Sequence, residues 1–517
     1  MALPAVKLAD SLAVLKTLQD QGHVAIRAGD LTRTHRERLL RTGFIREVMK
    51  GWYVPARPDE PPGESTSWYA SFWSFAAVYL RARFETDWCL SPEQSLSLLT
   101  GDWTVPRQLL VRTPKGGNKP TGLLFNTSIF DMRLALPAAA DVEEREGLRI
   151  LKLPAALIGC SPTHFAKHSI QMRSALAMVS DASEVLGRLL DGGHSTIAAR
   201  LAGAFRNIGR EQIAGSIVAT MRSAGYTIAE TDPFTDRTTV LISPRETSPY
   251  VNRLRMTWSR MREDVLQHFP KPPGIPRDPK AYLRHVDDVY VTDAYNSLSI
   301  EGYRVSEDLI DRVRLGNWDP ETIKEDREHH DALAARGYWQ SFQLVKESVR
   351  QVLGKKNAGA IAEHDHRAWY RELFGPLVTA GLLKPADLAG YRSGSVYIRR
   401  SMHSPPRADA VRELMPAFFD LLQNEPEPAV RVVLGHFMFV YIHPYPDGNG
   451  RMGRFLMNLM TASGGYRWTI IPVDRRSDYM AALESASVDQ DIKPFTIFLA
   501  GLLDQRQVTR HRQRGRI

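Results

Sequence analysis

The stretch Ile442–Leu456 (IHPYPDGNGRMGRFL) concentrates side chains that can do chemistry. His443 is a candidate general base, because an imidazole exchanges protons near neutral pH. Asp447 offers a hard carboxylate oxygen, which is the kind of ligand that Mg²⁺ prefers. A proton acceptor and a metal ligand this close together predict a catalytic site.

The centre of the same stretch can hold an anion. Gly448, Asn449 and Gly450 allow close approach of the backbone and can turn successive N–H groups toward a negative group. Arg451 and Arg454 are three residues apart and would share one face of a helix. An apolar run after them predicts that helix, whose N-terminus adds partial positive charge. We therefore predict a site for a nucleotide polyphosphate.

The motif resembles the signature of the Fic (filamentation induced by cAMP) family, His-Pro-Phe-x-Asp/Glu-Gly-Asn-Gly-Arg-x-x-Arg, with Tyr445 in place of phenylalanine. The resemblance covers about residues 281–503. It implies a protein adenylyltransferase that moves AMP from ATP to a Ser, Thr or Tyr hydroxyl, with His443 as the base and Asp447 holding Mg²⁺ or Mn²⁺. It also implies a set of residues that bind the ATP phosphates: Gly448, Asn449, Gly450, Arg451 and Arg454.

A second motif lies upstream, at the end of a helix predicted over Val289–Gly302. Ser297 and Glu301 are four residues apart and share a helix face, and Gly302 is a natural helix stop. The pattern resembles the family's inhibitory motif, Ser/Thr-x-x-x-Glu-Gly/Asn. This resemblance implies that Glu301 pairs with Arg454 and denies the ATP γ-phosphate its partner. Because some family members also remove AMP, a deAMPylase is an alternative.

Leu388–Pro406 is predicted to form a β-hairpin, because Val396 and Ile398 alternate with Tyr397 and Arg399. By resemblance this hairpin is the Fic flap, which holds the target segment by β-strand addition beside the active loop. The alternative is a structural edge hairpin. The sequence does not identify the target protein, and the chain itself is one candidate.

Residues 1–60 predict a winged helix. Leucines at helical spacing precede Gly22, a second short helix is expected over Ala25–Leu31, and Thr32 or Thr34 would cap a third. Two strands are expected within Phe44–Pro55. The sequence LLRTGFIREVMKGWYVP resembles the winged-helix heads of AbiEi-type antitoxin and regulator proteins.

This head is basic, with eight Lys or Arg residues from Arg27 to Arg57 against Asp30, Glu37 and Glu47. Basic residues on a recognition helix suit phosphate contacts, so residues 27–57 are a candidate DNA-binding surface. A solvated face that docks a protein is the other interpretation. A second class of function is therefore a DNA-binding transcriptional regulator or antitoxin-like protein, with the Fic core as sensor.

The predicted fold class is mainly α, with an all-α Fic core and its hairpin flap preceded by a winged helix, a mixed α/β part and a helical region. One further strand is expected at Thr238–Ser243, and the proline-rich stretch Pro270–Pro279 is expected to be a linker. The predicted segments are a winged helix at 1–60, a mixed α/β accessory domain at 61–160, a helical region with connector at 161–270, the Fic domain with its inhibitory helix at 280–505, and a basic tail at 506–517.

Composition fits an ordinary globular protein, because 43% of the 517 residues are hydrophobic and 24% are charged. The formal net charge of +9 permits contact with acidic surfaces without requiring it. The two cysteines, Cys89 and Cys160, do not suggest a disulfide framework. Without a recognisable signal peptide or membrane span, a cytoplasmic protein is expected. A homo-oligomer is left open.

Overall fold

The computed structural model describes residues 4–61, 63–235, 248–317 and 330–514, with side chains from residue 5 to residue 503 of those ranges. The predicted strand Thr238–Ser243 lies outside them. The described chain is mainly helical, which confirms the prediction of a mainly α fold class. It forms two compact units, Met1–Arg253 with Tyr397–Ser404 and Leu254–Val396 with Pro405–Ile517.

The elements are numbered in chain order over the described residues. The helices α1 to α20 are Pro4–Asp20, Arg33–Arg41, Thr66–Phe84, Pro92–Leu99, Leu153–Gly159, Pro162–Lys167, Ser169–Ala177, Ser183–Asp191, Ser195–Asn207, Glu211–Ser223, Pro249–His268, Pro279–Glu301, Glu307–Arg314, His330–Leu353, Ala358–Thr379, Ala408–Asn424, Pro428–Ile442, Asn449–Gly464, Arg476–Glu484 and Lys493–Arg514. The strands β1 to β9 are Ile26–Arg27, Ile45–Met49, Trp52–Pro55, Cys89–Leu90, Gln108–Thr113, Pro120–Gly122, Ser128–Arg133, Val142–Arg145 and Leu148–Leu151.

The first unit begins with α1, α2 and an antiparallel sheet of order β1-β3-β2. The side chain of Thr32 caps α2 by accepting the backbone N–H of His35. The helix predicted over Ala25–Leu31 is wrong. Ile26 instead pairs with Tyr53 in the sheet, and a short 3-10 turn, Ala28–Asp30, follows it. Pairing in the sheet buries Ile26 completely, which outweighs the local helical pattern.

Three of the four arginines of α2 make contacts within this unit. Arg33 pairs with Glu37 one turn on, at 2.7 Å and exposed to solvent. Arg36 donates to the carbonyl of Ala28 at 2.8 Å. Arg38 donates to Ser11 Oγ at 2.7 Å. The winged-helix class and DNA binding through residues 27–57 remain predictions.

The rest of the first unit is a mixed α/β part followed by helices. The four-stranded sheet has the order β4-β5-β7-β6, with β5 parallel to β7, and β8 pairs with β9. The aromatic residues of α3 pack edge to face, with Trp68 5.6 Å from Phe72 and 5.3 Å from Phe75 between ring centroids. All three rings are fully buried and form core.

The second unit is built around α17 and α18, which are buried along nearly their whole length. Helices α12, α14 and α15 pack against α18. The proline-rich stretch 270–279 lies inside this unit, because Gly274 donates its N–H to the carbonyl of Gly464 at 2.9 Å and Tyr466 donates to that of Pro270 at 2.7 Å. The five-part division of the chain remains a prediction. None of the described helices combines the length and hydropathy needed to cross a bilayer.

The hairpin predicted over Leu388–Pro406 is wrong, since residues 389–407, all described, contain no strand. The alternation around Val396 has no partner strand to pair with, and a strand is stable only with its ladder bonds made. Arg400 adopts a left-handed conformation with φ of 61°, which interrupts any extended run.

We predict that Gly465→Ala destabilises the second unit by more than about 3 kcal/mol. Gly465 has φ of 76°, and an added Cβ would lie 1.7 Å from the carbonyl oxygen of Gly274. Urea unfolding followed by circular dichroism would measure the shift in midpoint. Gly501→Ala is the matched control, because its Cβ would meet no atom within 4 Å, and an equal shift for both variants would contradict the prediction.

Candidate active site

His443 lies at the C-terminal end of α17 in a left-handed conformation with φ of 53°. Its Nδ1 lies 3.1 Å from the carbonyl oxygen of Val440. Because a carbonyl can only accept, Nδ1 carries the proton and Nε2 is left as the proton acceptor. Burial lowers the pKa of His443 to about 4, so the imidazole is neutral at physiological pH. The side chain is therefore in the form a general base requires.

Arg392 fixes the backbone around this histidine. The sequence motifs did not predict it as a site residue. It is 3% exposed, and burial lowers its pKa to about 10. Its Nε donates to the carbonyl of His443 at 2.8 Å, and its backbone N–H donates to that of Pro444 at 2.9 Å. The guanidinium also donates to the carbonyls of Ile442, Gly394 and Pro406. A lone arginine in a loop gives no sequence signal for such a role.

The loop after His443 is shaped by Gly448 and Asn449. Gly448 has φ of 77°, and a Cβ there would lie 2.7 Å from the ring of Phe374. The amide of Asn449 accepts from the N–H of Tyr445 at 2.9 Å and donates to its carbonyl at 2.8 Å. The Asn449 side chain is therefore used to hold the loop. The phosphate contact predicted for Asn449 would have to be made by backbone N–H groups at the start of α18.

Arg451 is a buried cation with unused donors. It is 1% exposed, and its guanidinium lies 5.1 Å from the ring centre of Tyr303 and 4.9 Å from that of Phe374. Its Nη2 lies 3.4 Å from Asp447 Oδ2. Its Nε and Nη1 find no hydrogen-bond partner among the described residues. Because buried donors are normally paired, this arrangement suits an anionic ligand.

Glu301 and Arg454 meet directly beside the glycine loop. Arg454 Nη2 donates to Glu301 Oε1 at 2.6 Å, and Arg454 Nε donates to Ser297 Oγ at 2.7 Å. Burial raises the pKa of Glu301, but Arg454 and Arg451 outweigh it, so the pKa is lowered and the carboxylate stays charged. The residue after Glu301, Gly302, has φ of 96° and ends α12.

The carboxylate of Glu301 occupies the space over Gly450. A Cβ on Gly450 would lie 2.3 Å from Glu301 Oε1. The side chain of Glu301 is 27% exposed, whereas that of Arg454 is 5% exposed. Arg454 is thus fixed in the protein interior, and Glu301 is the partner with a route to solvent.

The metal prediction rests on Asp447 alone. Its side chain is 69% exposed, and its Oδ1 accepts the N–H of Gly448 at 2.6 Å. Within the described ranges, no cluster of three His, Cys, Asp or Glu side chains could hold a metal ion by itself. The predicted flap residues are not brought to this site by a hairpin, and Tyr397 and Ile398 group with the first unit while Val396 belongs to the second.

Part of the chain matches the model of a known protein family. Residues 361–461 match the model of the Fic/DOC family, so this part of the chain is a Fic domain. The chain is 40% identical over 231 residues to "Protein adenylyltransferase Fic" of Nematostella vectensis, which covers 44% of this chain and 50% of that protein. It is 26% identical over 264 residues to "Protein adenylyltransferase fic-1" of Caenorhabditis elegans, covering 50% of this chain and 48% of that protein.

A solved structure, "Fic-1 (aa134 - 508) from C. elegans", aligns over 60% of this chain and 86% of that one, with 18% identity and a TM-score of 0.35. This chain spans about half the length of the two curated relatives named above.

We predict that the pKa of His443 lies well below the ordinary histidine value of about 6.5. A pKa of about 4 means that its ring stays neutral from pH 8 down to about 5 and gains a proton only below that. NMR titration of the protein with labelled histidine rings would measure this, with His443→Ala assigning the signal. A midpoint near 6.5 would contradict the prediction.

Arg392→Met should destabilise the second unit by about 2–4 kcal/mol, because several buried carbonyls lose their donor. The shift in urea midpoint measures it. Arg412→Met is the matched control, since Arg412 is exposed and donates to one carbonyl, that of Ala408 in its own helix. Equal stability of the two variants would argue against the role given to Arg392.

Proposed function

We propose that this chain is a protein adenylyltransferase that transfers AMP from ATP to a Ser, Thr or Tyr hydroxyl of a protein and is held inactive by Glu301. The observation that carries the proposal is the contact of Glu301 with Arg454 over Gly450, at the start of the helix that follows the neutral His443 and its glycine loop. The names of the two relatives support the same activity. These contacts do not specify the acceptor protein, and the chain itself is one candidate.

In the proposed reaction the acceptor hydroxyl attacks the α-phosphorus of ATP. Its proton passes to Nε2 of His443, the new O–P bond forms, and the bond to the β-phosphate breaks so that pyrophosphate leaves. The proton on Nδ1, bonded to the Val440 carbonyl, keeps the ring oriented through this exchange. The neutral ring at physiological pH is ready to accept without a prior deprotonation.

The triphosphate would be bound by the start of α18 and its arginines. The backbone of Gly448, Asn449 and Gly450 lies at a helix N-terminus, which favours an anion. The unpaired nitrogens of Arg451 would take phosphate oxygens, and Arg454 would take the γ-phosphate when Glu301 leaves.

A divalent cation fits this arrangement. Mg²⁺ is usually held by one or two carboxylates together with substrate phosphates, and Asp447 supplies one exposed carboxylate beside the loop. Asp447 would hold Mg²⁺ or Mn²⁺, which would supply positive charge against that of the phosphates.

The alternatives gain less support. A deAMPylase or a DNA-binding regulator is not named by either curated relative described above. The contacts of the α2 arginines within their own unit also supply no argument for DNA.

We also propose a cytoplasmic location. Both cysteines, Cys89 and Cys160, are buried and unpaired, and burial raises the pKa of both thiols. Unpaired structural thiols fit a reducing compartment.

Glu301→Gly should raise protein labelling from labelled ATP by about tenfold or more, because the carboxylate no longer competes with the γ-phosphate for Arg454. Labelling in the presence of Mg²⁺ or Mn²⁺ is the measurement. His443→Ala in the Glu301→Gly background should abolish it.

Glu307→Gly is the matched control for Glu301→Gly. Glu307 is an exposed glutamate in the first turn of α13, and its removal should leave labelling at the wild-type level. Equal labelling with and without His443 would refute the assignment of the base. Equal labelling with and without Glu301 would refute the inhibition.

A further inference from the structure

The segment Tyr397–Ser404 groups with the first unit, although the chain on both sides of it belongs to the second. We propose that the first unit carries a binding site for a segment with consecutive arginines. We propose further that Tyr397–Ser404, which lies within the segment predicted as the flap and is called the flap below, occupies this site and is thereby withheld from acceptor proteins. This inference rests on the proposed function, together with the role that the Fic resemblance gives to the flap in binding an acceptor. The site itself rests on contacts within the first unit.

Glu64 is the anionic centre of the site. Its side chain is only 4% exposed. Its Oε2 accepts from Nε of Arg399 at 2.8 Å and from Nε of Arg400 at 3.3 Å. One buried carboxylate oxygen therefore joins two neighbouring guanidinium groups, whose own side chains are 64% and 54% exposed.

The other oxygen of Glu64 is fixed by Thr66. Glu64 Oε1 accepts the backbone N–H of Thr66 at 3.2 Å and its hydroxyl at 2.5 Å. Burial raises the pKa of Glu64, but the bonds from Thr66 and Arg399 outweigh burial and bring the pKa to about 2. The carboxylate is therefore charged and oriented toward the arginines at any physiological pH.

The first unit also binds the backbone of the flap at two points. Thr66 Oγ1 accepts the N–H of Arg400 at 2.9 Å. Val105 donates its N–H to the carbonyl of Met402 at 2.9 Å. Arg400, which makes the first of these bonds, has φ of 61°, a conformation that a non-glycine residue rarely adopts without external support.

These bonds compete with β-strand addition. An added strand binds through the N–H and C=O groups of its host, and here the N–H of Arg400 and the C=O of Met402 are already used. An acceptor segment must displace Thr66 and Val105 to pair at these positions. The flap contact therefore acts on the protein substrate, whereas Glu301 acts on the nucleotide.

Trypsin tests the site directly, because Arg399 and Arg400 are themselves cleavage points. In the full chain, Glu64→Gln should speed cleavage after these residues by about tenfold or more, since local opening controls proteolysis. Glu144→Gln is the matched control. Glu144 lies in the first unit, is 53% exposed and pairs with Arg81 at 2.7 Å, so its replacement should leave the rate unchanged. Equal rates for Glu64→Gln and wild type would overturn the site.

A second pair of changes tests the contact from the other side. Arg399→Gln with Arg400→Gln should speed amide hydrogen exchange in residues 398–404, and circular dichroism would establish that the variant is folded. Raising the salt concentration should speed the same exchange in the wild type, because the two arginine heads are exposed to solvent. Unchanged exchange in the double variant would contradict the proposal.

The consequence for catalysis has its own readout. In the Glu301→Gly background, adding Glu64→Gln should raise labelling of cell-lysate proteins by labelled ATP several-fold, while ATP affinity stays the same. Faster trypsin cleavage without increased labelling would overturn the withholding of the flap. If Glu301→Gly alone gives no labelling, the adenylyltransferase proposal fails, but the trypsin and exchange results still decide the binding site.

Discussion

The buried guanidinium of Arg454 is the constraint on which the candidate site depends. A charge removed from water is stable only with a partner, and here Ser297 and Glu301 supply the partners. In the proposed function, the γ-phosphate of ATP would satisfy the same guanidinium. Inhibition is then an exchange of one anion for another at a fixed cation, with no large movement of the Fic domain required. Glu301 is the exchangeable member because more than a quarter of its side chain reaches solvent.

Burial also determines the charge of the candidate base. His443 is neutral because its surroundings are buried, and Arg392 beside it adds positive charge that further disfavours a proton on the ring. Arg392 also binds the carbonyls at the end of α17, so one residue both shapes the turn and influences the electrostatics of the base. Burial of the loop is therefore a requirement of the chemistry as well as of stability.

Local patterns in the sequence predicted the parts of the site that depend on neighbouring residues. The spacing of Ser297 and Glu301, with a glycine stop, correctly placed both on the last turn of α12. The helix after the glycine loop begins at Asn449 as its composition indicates. The Fic resemblance indicated that Glu301 and Arg454 meet, which spacing alone could not have done, because they lie 153 positions apart.

The features that could not be predicted depend on distant partners. The alternation around Val396 is a sound strand signal, but the described backbone gives it no strand to pair with. Ile26 reads as part of a helix until Tyr53 is available to pair with it. The roles of Asn449 and Arg392 were hidden for the same reason, since each is defined by the backbone groups it bonds.

Two separate contacts would then control two separate substrates. In the proposed scheme, Glu301 would block a phosphate position, and Glu64 would hold a segment that otherwise pairs with an acceptor. A ligand shifts an equilibrium only if it binds the two states of the protein with different affinity. In this scheme ATP does not contact Glu64, so tighter binding of ATP would not release the flap. An acceptor that replaces the bonds to Arg400 and Met402 would gain access without touching Arg454. In this scheme, full activity would require Glu301 to release Arg454 and Glu64 to release Arg399 and Arg400. A signal acting on only one of the two glutamates would leave the other control in place.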